Sequence, residues 1–396
     1  MRVSPLRGLH QQAEASLIPY GPPEADVLIV ETFGELELEY AALRKGCILL
    51  DRPSRGVLEV TGPDRLSFLN RMLTQELKGF EPFHVRRAFW LNRKGRIDAD
   101  LRLIELGDRT LLDLDIHAVA RTLTGLAAYI ITEDVRIADL SESTHRLALH
   151  GPTAAALLAA VSRPVAGRPV ADLLPDQAGT VRIADADVTV DRDDSTGEPG
   201  FELLVPAASA AAIYQLILES GHTHDDGDDT GLGSGFRLRP AGWHANNIAR
   251  IEAGRPLYYI DFGPDSLPHE SGVLHDRVSF KKGCYLGQEI VARMESRGHS
   301  KRTLVALRCE LSDPPPPTEE RPLPIAGAQI WPAASGDADA VGVITSSTLS
   351  PMLGAIPICF AAVKPGFHAP GTRLLVAADG LQLPSSVNDG LVFWKR

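Results

Sequence analysis

The sequence predicts an α+β protein of more than one domain, ending in a small and mostly β domain. Three observations predict it. A chain of 396 residues exceeds what one ordinary core holds together, so two or three domains are expected. Short strand-like runs and Ala-rich helical runs are mixed without strict alternation, which argues against a doubly wound sheet. Beyond a proline-rich stretch at 313–324, residues 325–396 show short Val/Ile/Leu runs broken by Gly and Pro, with little helical periodicity.

The elements follow in chain order. Segment 55–60 reads as a strand ending in the turn Gly62-Pro63-Asp64. Asp64 then suits a helix N-cap, with Leu66, Leu69 and Leu73 on one face of the helix. Residues 86–104 read as a β-hairpin whose two apolar runs flank Asn92-Arg93-Lys94-Gly95. Segments 110–116, 145–150, 181–190 and 200–205 are further short strands, and 153–161, 207–219 and 241–252 are helical. The polar, acidic and Gly-rich residues 221–235 read as a mobile surface loop. The prolines of 313–324 make a stiff linker. The expected division is therefore a body over 1–310, a linker over 311–324 and a terminal domain over 325–396.

Composition excludes several function classes. Lys and Arg total 40 against 51 Asp and Glu, a net charge of −11, so nothing supplies the counterion release that drives nucleic-acid binding. The cysteines Cys47, Cys284, Cys309 and Cys359 form no Cys-x-x-Cys pair. That spacing fits neither a disulfide scaffold nor a zinc ribbon nor a local iron–sulfur signature, and no metal ligand set is expected. It suits a reducing compartment. The N-terminus has no apolar signal core, and no run is long enough to cross a bilayer. No nucleic-acid or membrane partner is expected, and the expected location is cytoplasmic, or the mitochondrial matrix in a eukaryote.

Three features mimic functional motifs. Gly231 to Gly235 looks like a dinucleotide loop, but it follows Asp226, Gly227, Asp228 and Asp229 rather than a buried strand, and this acidic loop would repel a pyrophosphate. His222, His224, Asp225 and Asp226 lie in a segment too glycine-rich to fix metal ligands. Cys47, before Ile48 and Leu49, reads as a small buried apolar residue beside a strand.

The run at 281–293 carries more. Gly283 and Gly287 permit positive φ on either side of Cys284 and Tyr285, and a helix can start at Gln288. Cys284 would then precede a helix N-terminus beside Lys281 and Lys282, two features that favour a thiolate. The alternative is a packed core cysteine in a tight turn. The residues Lys282-Gly283-Cys284-Tyr285-Leu286-Gly287-Gln288-Glu289 resemble the K-G-C-Y-x-G-Q-E signature of the folate-binding YgfZ proteins and their mitochondrial relatives. Those share a superfamily with the glycine-cleavage T-protein. Weaker matches run in order along most of the chain: Ser4-Pro5-Leu6, His10 and Pro19-Tyr20-Gly21; Asn92, Gly95, Ile97 and Asp100; Thr196 to Glu202; Arg250 to Gly254; and Gly342 to Ser346 with Ser350-Pro351. The first of these imply that the opening residues belong to the fold rather than to a cleaved presequence.

The resemblance implies two interleaved subdomains and a C-terminal β-barrel, arranged as a ring around a central folate site. It implies that Glu202 accepts hydrogen bonds from a pterin, for which a carboxylate is suited. It also implies folate contacts from Asn92, Tyr285 and Arg250; for Arg250, a salt bridge with Glu252 or Asp261 is the alternative. Asp100 would assist one-carbon chemistry electrostatically or as an acid–base group. Transferases of the superfamily carry two aspartates where this chain has Ala99-Asp100, and a second glycine where it has Arg96. Those departures, with the signature around Cys284, lead to the expectation of a tetrahydrofolate-binding protein that supports iron–sulfur assembly or repair, with Cys284 as a working thiol and iron–sulfur client or carrier proteins as partners. The alternative is a folate-dependent aminomethyl transferase or demethylase.

Overall fold

The structure, a computed structural model, describes residues 3–22, 27–222, 235–298, 300–333 and 339–394. The chain forms two units. The first comprises Met1–Trp90 and Ala99–Asn246, the second Leu91–Asp98 and Asn247–Arg396.

Two-residue alternation shapes the first unit. In the strand Gly200–Pro206, Phe201, Leu203 and Val205 join one apolar cluster, while Leu204 joins another on the opposite face. The strand is fourth in a seven-stranded sheet ordered Ser162–Gly167, Ala178–Ile183, Ala186–Arg192, Gly200–Pro206, Thr144–His150, Cys47–Asp51 and Leu238–Ala241. Adjacent strands are antiparallel except the last pair, which is parallel. One face of this sheet is covered by the helices Ala154–Val161 and Ala210–His222, through Leu157, Leu158, Ile213 and Ile217. A second, five-stranded sheet runs in the order Val85–Leu91, Ile97–Glu105, Arg109–Asp115, Arg55–Thr61 and Arg136–Asp139. The chain thus enters the larger sheet once, builds all of the smaller one, and returns at Thr144. Val57, Ile104 and Leu111 of the smaller sheet pack on Ala178 and Leu204 of the larger.

The second unit contains a closed six-stranded barrel ordered Thr303–Cys309, Ile356–Val363, Gly342–Ser350, Gln329–Pro332, Arg373–Ala378 and Leu381–Val387. Leu307, Ile344, Cys359 and Val376 fill its interior. The first barrel strand precedes the proline segment, so 311–324 is a loop inside the barrel and not the boundary expected of it. Proline stiffness marks a break in regular structure, whereas the domain is set by pairing of Thr303–Cys309 with strands about 50 and 80 residues on.

Other local expectations are corrected too. Segment 181–190 is not one strand but parts of two, joined where Ala184 adopts a φ of +50°. Asp64 precedes the helix Arg65–Met72 without capping it; its carboxylate accepts instead from the Asp134 amide at 2.9 Å. Leu66 is only half-buried, and Phe68, Leu69, Met72 and Leu73 make the helix's inner face. Cys47 does open a buried strand. Among the described residues no helix is long and apolar enough to cross a membrane.

Candidate functional site

Glu202 and Asp100 belong to the first unit, whereas Asn92, Arg250, Cys284 and Tyr285 belong to the second.

Glu202 points to the inner face of its sheet and is 3% exposed, which rules out an outward-facing strand glutamate. Arg52 Nη1 stands 3.4 Å and His150 Nε2 3.8 Å from its Oε1, both longer than the roughly 2.7–2.9 Å of a strong charge-assisted hydrogen bond. Burial pushes its carboxyl up, but Arg52, the His150 ring, Arg102 and Arg146 outweigh burial and hold it well below the usual carboxylate range. Arg52 Nη1 and His150 Nε2 are buried with no hydrogen-bond partner among the described residues. The carboxylate is therefore kept ionised while its oxygens retain capacity to accept.

Glu202 belongs to a charged network between the two sheets. Arg102 donates to Asp193 at 2.8 Å and to Asp191 at 3.1 Å, and lies 3.3 Å from Asp113. Arg146, 1% exposed, stands 3.4 Å from Asp113 and 3.5 Å from Asp191. Arg55 donates to Asp113 at 3.2 Å. The Asp113 carboxyl, pushed up by burial, is brought below its ordinary value by Arg146, Arg55 and Arg102. Sequence reasoning missed this network. A signal was present: Arg102 stands between Leu101 and Leu103, and Asp113 between Leu112 and Leu114. Charges at such positions are costly unless paired.

Asp100 lies on the strand Ile97–Glu105, two residues before Arg102 and hence on the same face. Ala99 is on the opposite face, fully buried between Ile97 and Leu101. The carboxylate this chain lacks is thus the one that would enter the apolar side. Arg96 donates to the Asp265 carbonyl.

In the second unit, two motifs that looked separate form one contact. The hairpin turn closes with Gly95 N donating to Asn92 O at 2.9 Å. The Asn92 side chain accepts from the amides of Lys94 at 2.9 Å and Arg96 at 3.2 Å, and donates to Asp98 at 3.1 Å. It therefore builds the turn. The helix Gln288–Arg297 starts after Gly287, whose φ is +82°. A Cβ there would meet Asn92 O at 2.9 Å, and one on Gly95 (φ +70°) would meet Ile290 at 2.7 Å. Gly283 needs no such freedom: its φ is not left-handed and nothing lies within 4 Å of a Cβ built on it. Of the two glycines expected to supply positive φ, only Gly287 does.

Cys284 is exposed in the segment before that helix, so the buried-core alternative is excluded. Tyr285 is 7% exposed, and burial pushes its phenol up to about 12. Lys282, itself buried, has its ammonium 5.2 Å from the Tyr285 ring centre, and Lys281 is exposed.

Arg250 lies in the last turn of the helix Trp243–Glu252 and is 2% exposed. It donates to Asp261 at 2.7 Å, to Asn247 at 2.9 Å and to the Arg255 carbonyl at 3.2 Å. Asp261 also accepts from Thr345 and Ser346 of the barrel, at 2.8 and 2.5 Å. The salt-bridge alternative is what the geometry contains, and Arg250 braces the helix to the barrel. Nearby Tyr259 holds a left-handed φ of +68°, a strained conformation for an aromatic residue that nothing in the sequence signalled. Gly231 to Ser234 and His224, Asp225 and Asp226 of the motif-like loop lie outside the described residues.

The comparisons with known proteins agree with one another. The GCVT N-terminal domain profile matches residues 20–282 and the glycine cleavage T-protein C-terminal barrel domain profile residues 302–393. An aminomethyltransferase of Cutibacterium acnes is 30% identical across 100% of this chain and 99% of its own length. One from Shouchella clausii is 28% identical across 97% and 95%. The crystal structure of the glycine cleavage system aminomethyltransferase T from Bartonella henselae has the same mixed fold with its barrel, at a TM-score of 0.83, 24% identity and coverage of 100% and 99%. These relatives overturn the expectation of iron–sulfur assembly or repair and of iron–sulfur partners, since those matched end to end carry the transferase name. The features behind that expectation are local, a carboxylate absent at the buried Ala99 and an exposed thiol at Cys284, whereas the likeness to the transferases runs the length of the chain.

Proposed function

This chain belongs to the glycine-cleavage T-protein family, and from that premise we propose that it is a folate-dependent one-carbon transferase, moving carbon from an aminomethyl donor to tetrahydrofolate. Glu202 carries the reading. A buried carboxylate kept ionised, yet without a short hydrogen bond to its cations, suits the adjacent ring N–H and amine of a pterin. The orphaned Arg52 and His150 nitrogens beside it are further polar groups that a ligand can satisfy.

Bound tetrahydrofolate would supply two N–H groups that receive the one-carbon unit as a methylene bridge, while the donor's amine leaves as ammonia and its carrier leaves protonated, the two protons coming from those N–H groups. Asp100, on the strand face that leads to Arg102, would stabilise developing positive charge or hold the proton exchanged there. The helix-end Arg250 and the turn-building Asn92 would keep the second unit in shape, and buried Tyr285 would do the same beside Lys282. Cys284 has no step in this reaction. Within the family, the run Lys282–Glu289 leads us to place the chain with the YgfZ-like folate binders, and its unpaired cysteines are in keeping with a reducing, cytoplasmic setting.

The test is calorimetric titration with tetrahydrofolate. Wild-type protein should bind it, and Glu202→Ala should weaken binding by about 10- to 100-fold, as expected for losing a charge-assisted acceptor pair. Equal affinity in the variant would remove Glu202 from the site, and no binding to the wild type would end the folate reading.

A further inference from the structure

Asp191 lies directly opposite Glu202 on the neighbouring strand and is fully buried. The two carboxylates draw on the same cations. Arg102 Nη2 is 2.9 Å from Asp191 Oδ2 and Arg146 Nη1 is 3.5 Å from Oδ1, and both guanidiniums also help to hold Glu202 ionised. Despite the 2.9 Å approach, Oδ2 makes no well-aligned hydrogen bond among the described residues. We propose that Asp191 is a positioning residue for Glu202: its charge decides whether Arg102 and Arg146 turn toward it or toward Glu202, and so how freely Glu202 accepts hydrogen bonds from a bound pterin. The inference rests on the folate reading of Glu202 and extends it.

The groups around Asp191 come from both sheets: Glu202 and Arg146 from the two strands beside it, Arg102 and Asp113 from the facing sheet, and Asp193 just beyond its own strand. Burial pushes the Asp191 carboxyl up; Arg102 and Arg146 oppose this, Glu202 and Asp113 add to it, and the balance is about 7. Asp191 therefore changes charge near neutral pH, whereas Glu202 stays ionised throughout that range. Ionised Asp191 draws the two arginines to itself and leaves the Glu202 oxygens available. Neutral Asp191 releases both cations onto Glu202, where they compete with the ligand. Binding thus favours the ionised form of Asp191, and affinity rises with pH through its titration. A one-unit fall of the Asp191 midpoint on binding corresponds to about a tenfold gain in affinity.

Two measurements test this. Calorimetric titration with tetrahydrofolate from pH 6 to pH 8.5 should show roughly tenfold tighter binding at the upper end, and Asp191→Asn should bind at the low-pH level throughout. A variant that keeps the wild-type pH slope would overturn the proposal. Because a substitution in this network can impair folding, the second measurement uses carbon-13 aspartate labels in the intact protein. One buried carboxyl should titrate near neutral pH, and its midpoint should fall when tetrahydrofolate is added and also in Glu202→Gln, which removes the charge opposite it. An aspartate set that titrates only in the ordinary acidic range, or a neutral midpoint unmoved in Glu202→Gln, would refute the coupling. Failure of the wild type to bind tetrahydrofolate would instead strike the folate reading, and the ligand-free Glu202→Gln comparison separates the two failures.

Discussion

Replacing Asp261 by alanine removes the centre of the brace around Arg250. Its carboxylate accepts from Arg250 Nη1 at 2.7 Å, the Leu257 amide at 2.9 Å, Thr345 Oγ1 at 2.8 Å and Ser346 Oγ at 2.5 Å. Arg250, 2% exposed, would lose the carboxylate it donates to at 2.7 Å. Breaking one side of a buried pair costs about 3–5 kcal/mol, and each lost neutral hydrogen bond adds about 1 kcal/mol. Because these partners act together, we expect a net loss of about 5 kcal/mol, near the top of the range for one substitution. Guanidinium unfolding followed by circular dichroism would read this as an early transition of the second unit. The pair Arg250→Met with Asp261→Leu should recover most of the loss, since apolar residues of similar volume replace buried ion pairs at little cost. An Asp261→Ala protein within about 1 kcal/mol of wild type would refute the reasoning. So would an Arg250→Met protein of full stability that no longer binds tetrahydrofolate, because Arg250 would then be a ligand contact and not a brace.

The contact between the hairpin turn and the helix Gln288–Arg297 predicts a contrast between two glycines. Gly287→Ala forces a left-handed alanine costing about 1–2 kcal/mol and brings a Cβ to 2.9 Å from Asn92 O, so thermal unfolding should show a loss of about 2 kcal/mol or more; Gly283→Ala should stay within about 0.5 kcal/mol. Asp51 accepts from Ser4 at 2.6 Å, His10 at 2.7 Å and His145 at 2.6 Å. Burial pushes its carboxyl up, but the two histidines more than offset it and hold it well below the usual range. A depressed folded-state value means the stabilisation is present above the unfolded value of about 4 and is lost as pH falls below it. Acid unfolding should therefore set in below about pH 4, and Asp51→Asn should be less stable at neutral pH with a shallower acid limb. Finally, Cys284→Ala should leave aminomethyl transfer unchanged; a loss of turnover would bring the thiol into the reaction.

Local chemistry made parts of this structure readable in advance. The Asn92–Gly95 turn and the strand at Cys47 follow from nearest-neighbour rules of turns and apolar runs, and both are present. What escaped was set by partners far along the chain. The proline segment stopped regular structure but not the domain, because Thr303–Cys309 finds its neighbours beyond it. Arg102, Asp113, Arg146 and Asp191 are far apart along the chain, and only the facing of the two sheets brings them into a buried network. Asp64 failed as a cap because its carboxylate found the distant Asp134 amide instead. Of the candidate residues, Glu202 is a buried carboxylate held ionised by its cations, while Arg250 is tied to Asp261, one of the two salt-bridge partners its sequence position offered.

Turnover is the most direct measure of the central claim. Supplied with tetrahydrofolate and an aminomethyl donor, the wild-type protein should form methylenetetrahydrofolate, and Asp100→Asn should lower kcat by about 10²- to 10⁴-fold while still binding the folate. A wild-type preparation that binds tetrahydrofolate yet forms no product with any aminomethyl donor, or an Asp100→Asn protein with undiminished kcat, would contradict it.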